Sequence, residues 1–194
     1  MMPAWLNRSK AALVAAAAAL VLAACATPPK IGGKPGEGVF ERTGRFAMNV
    51  GYANGQRDAL QGGFAWRDAG TRLTLDLANP LGSTLARIEV TPGRATVTRS
   101  NGEQEQAATA DGLVEKVLGS PLPVSGLRYW LRGQTGPQAV SALEKNEAGQ
   151  PVSFTQDGWR VRLSRYDALG PGMLQLNRRD ANRDISARLV VNPN

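Results

Sequence analysis

The stretch Leu73–Val90, LTLDLANPLGSTLARIEV, has the pattern of two β-strands joined by a short turn. Apolar and polar residues alternate on both sides of Asn79–Gly82, and this period of two is typical of a strand with one buried face. The Asn-Pro pair and the glycine that follows favour a turn. Leu81 therefore stands at the tip of a predicted hairpin, a position where the chain is normally polar.

The same alternation continues through most of the chain. Neighbouring runs are separated by short turns, of which Ser100–Gly102 carries a strong hairpin signal, Asn-Gly. Short connections join antiparallel neighbours, so the sequence predicts an antiparallel meander. The predicted strands are Arg45–Val50, Leu60–Trp66, Arg72–Leu77, Leu85–Val90, Arg94–Arg99, Val152–Gln156, Trp159–Arg165, Met173–Asn177 and Ile185–Val191.

Between the fifth and sixth of these runs the apolar spacing changes to that of a helix. Asp111 is predicted to cap a helix that ends at Gly119. Its apolar face carries Leu113, Val114, Val117 and Leu118. After Pro121 and Pro123, a second short helix is predicted, with one apolar face made of Leu127, Trp130 and Leu131.

These elements predict a mainly β fold with short α-helices. About nine strands in one sheet curl, and the apolar face of this sheet becomes concave. We therefore expect a single curled antiparallel sheet, an incomplete barrel, covered by a helical lid with an apolar cavity inside. The pattern alone leaves open whether side chains fill that interior or leave it hollow.

The N-terminal residues have the features of an export signal. Arg8 and Lys10 precede the uncharged run Ala11–Ala24, which is short for a membrane span. Cys25, the only cysteine of the chain, follows Leu22-Ala23-Ala24, and this arrangement resembles a bacterial lipobox whose thiol is acylated. The alternative is an ordinary secretory signal with a chance cysteine. Ala26 resembles the class of lipoproteins that is directed to the outer membrane.

Three segments are thus predicted. Residues 1–24 form a lipoprotein signal peptide, residues 25–38 a lipidated tether rich in Pro and Gly, and residues 39–194 one domain. Loss of Arg8 and Lys10 leaves 21 basic residues against 16 acidic ones, a net charge of +5. The arginines are scattered through the strands, so no nucleic-acid interface is expected.

The composition argues against an enzyme. The chain has no histidine, the commonest general base and metal ligand, and no glycine-rich phosphate loop. The close acidic pairs Glu103/Glu105 and Asp180/Asp184 lie in polar turns, where solvated charges are expected. We therefore predict no catalytic residue, no metal and no cofactor.

Several stretches resemble one family when they are taken together and in order. They are Leu22–Cys25, Gly44–Ala47, Gly63–Trp66, Asn79–Thr84, Leu122–Val124, Leu127–Gly133 and Asp157–Trp159. In these the sequence resembles the LolB family of outer-membrane lipoprotein receptors, although Val190–Pro193 departs from the usual aromatic ending. The resemblance implies an incomplete barrel with a helical lid over an apolar cavity. It also implies a lipid-anchored outer-membrane protein, facing the periplasm, that takes lipoproteins from a LolA-like carrier and incorporates them into the membrane.

The resemblance also assigns roles to residues. Cys25 would carry the lipid, and Pro80, Leu81 and Gly82 would form a protruding loop that delivers cargo into the membrane. The candidate lining of the cavity is assigned by strand face rather than by the resemblance, and consists of the inward side chains Phe46, Met48, Phe64, Trp66, Leu73, Leu75, Leu77, Ile88, Val90, Val97, Trp159, Val161 and Leu163. The lid would contribute Leu113, Val114, Val117, Leu118, Leu127, Trp130 and Leu131.

The expected partners are the LolA-like carrier, triacylated lipoproteins as cargo and outer-membrane phospholipid, with the chain itself a monomer. Two other functions fit the same pattern. One is a structural or assembly scaffold lipoprotein with a filled core, and the other is a carrier of a different lipid. From the residues alone, Leu81 could also fold back onto the core or be a lone exposed leucine, which is common.

Overall fold

The alternating runs pair into one antiparallel sheet of eleven strands. The computed structural model describes residues 38–119 and 121–193, without the side chains of Val117 and Leu118. The predicted signal peptide, Cys25 and nearly all of the tether lie outside this range. The strands are β1 Phe40–Tyr52, β2 Arg57–Asp68, β3 Leu73–Ala78, β4 Thr84–Thr91, β5 Arg94–Arg99, β6 Gln104–Ala107, β7 Val140–Lys145, β8 Pro151–Gln156, β9 Trp159–Asp167, β10 Gly170–Arg179 and β11 Arg183–Val191.

The first and last strands join the two halves of the meander. The order across the sheet is β6-β5-β4-β3-β2-β1-β11-β10-β9-β8-β7, so the sheet is open, with β6 and β7 as its edges. In the pairing of β1 with β11, Gly44 lies opposite Val191 and Tyr52 lies opposite Arg183. This fixes the register of the last strand. The prediction of a single curled antiparallel sheet with two short helices is confirmed.

The number of strands was underestimated, because nine were predicted and the described residues form eleven. The two missed strands are the edges β6 and β7. Their sequences, QEQA and VSALEK, lack an alternating apolar face, and none of their residues is fully buried. Polar edge strands of this kind give no periodic signal.

Two helices lie between β6 and β7, as predicted, but they begin at other residues. Helix α1 spans Ala110–Leu118 and is capped by the Thr109 hydroxyl, which accepts from the Gly112 amide, rather than by Asp111. Its end at Gly119, with φ 70°, is as predicted. Helix α2 spans Val124–Trp130 and so starts one turn earlier than its apolar residues indicated.

The concave face of the sheet and the inner faces of both helices form one hydrophobic core. Strand residues of alternating position are buried against α1 and α2, which cover this face. Near the β3–β4 connection, the backbones of β2 and β3 approach so closely that a Cβ on Gly62 would lie 2.1 Å from the Ala78 carbonyl oxygen. Glycine at this position therefore permits the close approach of β2 to the base of the loop that carries Leu81.

Candidate functional site

The loop between β3 and β4 holds Leu81 away from the domain. The Asn79 side-chain oxygen accepts hydrogen bonds from the amides of Leu81 and Ser83, at 2.9 and 3.0 Å. Asn79 and Ser83 also close the loop through their backbones, and Gly82 supplies a positive φ of 90°. Leu81 is 92% exposed. It therefore does not fold back onto the core, and the loop presents it to its surroundings by local hydrogen bonding alone.

An apolar surface groove lies beside this loop. It has a volume of about 320 Å³, and Leu77 of β3 and Leu85 of β4, the strands that the loop connects, both line it. Leu85 is 39% exposed, which is unusual for a leucine in a strand with a buried face. The lining residues are Phe46, Leu60, Leu77, Leu85, Ala86, Arg99, Ser100 and Asn101. We call this groove the mouth.

A narrow apolar cavity continues inward from the mouth, with which it shares Phe46 and Leu77. Leu122, which precedes α2, and Leu127 on α2 form its helical wall. The full lining is Phe46, Phe64, Trp66, Leu75, Leu77, Leu122, Leu127, Ala187 and Leu189. Its volume of about 20 Å³ has room for roughly one water molecule, so the interior is closed in this conformation.

One buried polar atom belongs to the cavity lining. Trp66 is 1% exposed, and its indole nitrogen has no hydrogen-bond partner among the described residues. An unpaired buried donor of this kind costs roughly 1–3 kcal/mol of stability. Trp66 is therefore a large ring on the wall of the cavity that is not fixed by a polar contact.

The C-terminal end of α2 is tied to the sheet by charge. Asp68, at the end of β2, accepts hydrogen bonds from Arg128 Nε and Nη2 and from Arg132 Nη2. Burial raises the pKa of Asp68, but these bonds and one from the Gly70 amide hold it below its usual range. Arg132 also lies over the Phe40 ring, 4.0 Å from its centre. We call Asp68, Arg128 and Arg132 the latch.

A second contact fixes the same end of α2. The Trp130 indole donates to Gln156 Oε1 at 3.0 Å, and its ring packs edge-on against Phe154, 6.0 Å away. The Gln156 amide in turn donates to the carbonyls of Gly136 and Gln138, at 3.0 and 2.8 Å. Trp130 is therefore part of a filled and hydrogen-bonded region of the core.

The start of α2 is joined to α1 by a single carboxylate. Asp111, in the first turn of α1, accepts from the Ser125 amide at 2.8 Å. Burial raises the pKa of Asp111, and its hydrogen bonds with Ser125 and Val124 only partly oppose this. Asp111 thus links the first turn of α1 to the start of α2, and the start of α2 has fewer side-chain hydrogen bonds than its latched end.

Comparison with known proteins decides the family. The family model described as "Outer membrane lipoprotein LolB" matches residues 39–193. The chain belongs to the LolB family. Proteins named "Outer-membrane lipoprotein LolB" from Bordetella petrii and Bordetella pertussis are 51% and 52% identical to it. These matches cover 92% and 88% of this chain and 90% and 86% of theirs.

A more distant LolB relative, from Cupriavidus pinatubonensis, is 37% identical, and the match covers 97% of both chains. A LolA superfamily protein from Nitrosomonas europaea, solved by crystallography, has a TM-score of 0.42 and 8% identity. That likeness covers 79% of this chain and 84% of the solved one, and it is too distant to bear on function. The resemblance to LolB noted in the sequence is confirmed.

The side chains predicted to line the cavity fall into two groups. Those on its wall are Phe46, Phe64, Trp66, Leu75 and Leu77, together with the predicted lid residue Leu127. Others are buried in the core but do not line the cavity: Met48, Leu73, Ile88, Val97, Trp159, Val161 and Leu163. Val90 is only half-buried. The assignment of acyl contacts to any of them stays a prediction.

The predicted lid residues also differ in what they contact. Leu113, Val114, Leu127, Trp130 and Leu131 are buried beneath the helices, whereas the side chains of Val117 and Leu118 lie outside the described part. Among residues 38–119 and 121–193, no helix has the length and apolar character needed to cross a membrane. Nor does any cluster of acidic residues in that range have the arrangement of a metal site.

Sequence reasoning missed six apolar side chains of the mouth and cavity, which are Leu60, Leu85, Ala86, Leu122, Ala187 and Leu189, and the polar rim Arg99, Ser100 and Asn101. Leu60, Ala187 and Leu189 follow the alternation of β2 and β11, so the pattern could have found them. Leu85 could not be found in this way, because the register of β3 against β4 shifts after Leu77. Leu122 lies in a proline-rich segment with no periodicity.

Proposed function

We propose that this LolB-family protein accepts lipoproteins from a LolA-like periplasmic carrier and incorporates them into the outer membrane, without catalysing a reaction. The observation that carries the proposal is the position of Leu81. It is almost fully exposed on the loop that connects two strands whose leucines line the apolar mouth. A membrane-seeking side chain and an opening to an apolar interior thus lie side by side.

The physical need for such a protein follows from the cargo. Transfer of one acyl chain of about fifteen carbons into water costs on the order of 10 kcal/mol of free energy, at roughly 0.8 kcal/mol per methylene. Free passage of a triacylated protein through an aqueous compartment is therefore negligible. Transfer without an energy source requires that this interior binds the chains better than the carrier does, and that the bilayer binds them better still.

In this proposal, cargo enters through the mouth and displaces the helical wall. The cavity of about 20 Å³ cannot hold an acyl chain, so Leu122 and Leu127 must move outward as one enters. The latch and the contact between Trp130 and Gln156 hold the other end of α2 in place. The helix would therefore pivot on its C-terminal end while the apolar wall withdraws.

Delivery would use the loop. Burial of an exposed leucine in the lipid leaflet contributes about 1–2 kcal/mol, enough to hold the mouth against the membrane surface for part of the time. The proposed acyl chain on Cys25 and the tether of residues 25–38 would supply the permanent attachment. The lipid anchor then keeps the protein at the membrane, and the domain binds and transfers the cargo.

The closed interior is the one feature that favours the alternative, a scaffold lipoprotein with a filled core. A direct uptake measurement separates the two functions. The mature chain with Cys25→Ala, which needs no membrane, is mixed with a LolA-like carrier loaded with a labelled triacylated lipoprotein. We expect the label to move to this chain, in a complex that survives gel filtration. If all the label stays on the carrier, the proposed function is wrong, and a scaffold or a carrier of a different lipid takes its place.

A further inference from the structure

A second groove lies on the outer, convex face of the sheet. Its volume is about 550 Å³, and it borders the Leu81 loop on one side and two arginines on the other. The loop contributes Asn79, Pro80 and Gly82, and the arginines are Arg45 of β1 and Arg188 of β11. This groove is distinct from the mouth, which opens on the apolar face.

Strand register shows how the groove is built. Ala78, Gly63, Arg45 and Val190 lie opposite one another in one row across β3, β2, β1 and β11. The neighbouring row is Gln61, Ala47 and Arg188. The small residues of both rows leave a depression between the loop and the arginines. Because Arg45 and Arg188 are diagonal neighbours on adjacent strands, the two residues lie roughly 7–8 Å apart.

Both arginines are free to bind an external anion. Neither guanidinium group forms an ion pair or a hydrogen bond with any residue in the described ranges, whereas Arg42, Arg87, Arg99, Arg128 and Arg183 all have acidic partners there. The residues that line the groove include no acid. Two exposed guanidinium groups at this spacing match the oxygens of one phosphate group.

Apart from the uncharged polar side chains of Gln61, Asn79 and Asn192, the remainder of the groove is apolar. Val190 is 38% exposed beside Arg45, and Pro80 and the methyl groups of Ala47 and Ala78 complete the surface. A ligand with a phosphate and an adjoining apolar part fits this arrangement better than a fully hydrated anion or an acidic peptide does. A phospholipid at a membrane surface has that chemistry.

We propose that Arg45 and Arg188 bind the phosphate of an anionic phospholipid in the leaflet that Leu81 enters. This inference rests on the proposed function, because it places the groove at the membrane surface. The loop supplies an apolar contact below the headgroups and the two arginines supply an ionic contact at their level. Together they orient the mouth against the lipid.

The test compares the binding of the mature Cys25→Ala chain and of its variants to sedimented vesicles. The parent and its Arg45→Gln/Arg188→Gln, Arg57→Gln/Arg94→Gln and Leu81→Glu variants are incubated with two kinds of vesicle. One is pure phosphatidylcholine and the other contains about a third phosphatidylglycerol. Arg57 and Arg94 are also exposed, their side chains have no partner among the described residues, and both lie outside the groove, so their loss is a matched change of charge.

Loss of the two groove arginines should weaken binding to the anionic vesicles by on the order of ten- to thirtyfold. Loss of the control pair should weaken it by less than about threefold. An Arg45→Lys/Arg188→Lys variant should retain most of the binding, since the charge remains. Binding to phosphatidylcholine should change little in every arginine variant. Leu81→Glu should weaken binding to both kinds of vesicle.

Each other outcome overturns one part of the account. Equal losses in the two double variants would mean general attraction of a basic protein and would exclude a site at the groove. Unchanged vesicle binding, with slower uptake of cargo from the carrier, would make the groove a protein contact and contradict the proposal. If instead Leu81→Glu binds phosphatidylcholine as the parent does, the claim that the loop inserts into the membrane is wrong. The claim that the two arginines bind phosphate is tested separately, by the arginine variants.

Discussion

The carboxylate of Asp68 and the guanidinium group of Arg128 form a two-point hydrogen bond, at 2.7 and 2.9 Å, although they are 60 residues apart in the chain. The Asp68 side chain is only 3% exposed, and Arg132 adds a third bond at 3.2 Å. Asp68 lies at the end of β2, and both arginines lie in or just after α2. This contact therefore determines where the helical cover is fixed to the sheet.

Replacement of Asp68 by asparagine should loosen α2. The amide cannot accept both donors of Arg128, and two guanidinium groups lose their counter-charge. Because Arg128 is about one third exposed, we expect the free energy of unfolding to fall by about 2 kcal/mol, less than for a fully buried pair. Chemical denaturation gives this value, and amide hydrogen exchange shows whether residues 124–130 are affected first.

The matched control for that variant is Asp184→Asn. Asp184 also pairs with an arginine, Arg179, but both side chains are more than half exposed, so its loss should change stability by less than about 0.5 kcal/mol. Equal effects of the two variants would show that the latch has no special part in holding α2.

Acid should weaken the latch. Burial raises the pKa of Asp68, but its arginine and amide donors leave it lowered in the folded state. A lowered folded pKa means that the stabilisation is present above the unfolded value, about 4, and is lost as the pH falls through the folded value. Unfolding free energies between pH 7 and pH 2.5 should therefore drop more steeply for the parent than for Asp68→Asn. Parallel curves would contradict this.

The contribution of Asp111 to stability should depend on pH with the opposite sign. Burial raises its pKa, so the charged form is disfavoured in the folded state and the stabilisation is lost as the pH rises through the folded value. Asp111→Asn keeps an oxygen that can accept from the Ser125 amide and removes the buried charge. We expect its stability at pH 7 to equal or exceed that of the parent. A clear loss in a thermal unfolding measurement would mean that the charge itself holds α1 to α2.

Tryptophan fluorescence can report the opening of the cavity. Trp66 lines the cavity and its indole nitrogen is unpaired, whereas Trp159 is buried in the core away from it. Entry of an acyl chain should change the emission of the parent and of Trp159→Phe. The response should be mostly lost in Trp66→Phe. A response that survives in Trp66→Phe and disappears in Trp159→Phe would place the acyl chain elsewhere.

Alternation was sufficient to predict the part of the fold that buries apolar surface. The inward residues of β1, β2 and β9, for example, lie where a period of two placed them. The polar edges β6 and β7 gave no such signal. Helix α1 is capped by Thr109, whereas Asp111 lies inside its first turn and accepts from the Ser125 amide. Local sequence does not distinguish these two acceptors.

The site was predicted less completely, because its residues come from parts of the chain that are far apart in sequence. Leu81 stood out because an apolar residue in a turn is locally unusual. The latch joins residues 60 positions apart, and the groove on the convex face depends on the register of four strands, so neither can be inferred from a single segment. The narrowness of the cavity depends on how closely α2 packs, which no pattern of residue types specifies.

The central claim is that Leu81 delivers cargo into lipid, and the most direct test measures transfer from the loaded domain to vesicles. The parent, Leu81→Glu and Leu169→Glu, each loaded with a labelled lipoprotein by the carrier, are mixed with phospholipid vesicles, and the label that floats with the vesicles is counted. Leu169 is a suitable control, since it is 43% exposed in a hairpin turn at the opposite end of the sheet. We predict that all three proteins take up cargo, and that only Leu81→Glu fails to release it into the vesicles. Transfer by Leu81→Glu at the rate of the parent would contradict the account.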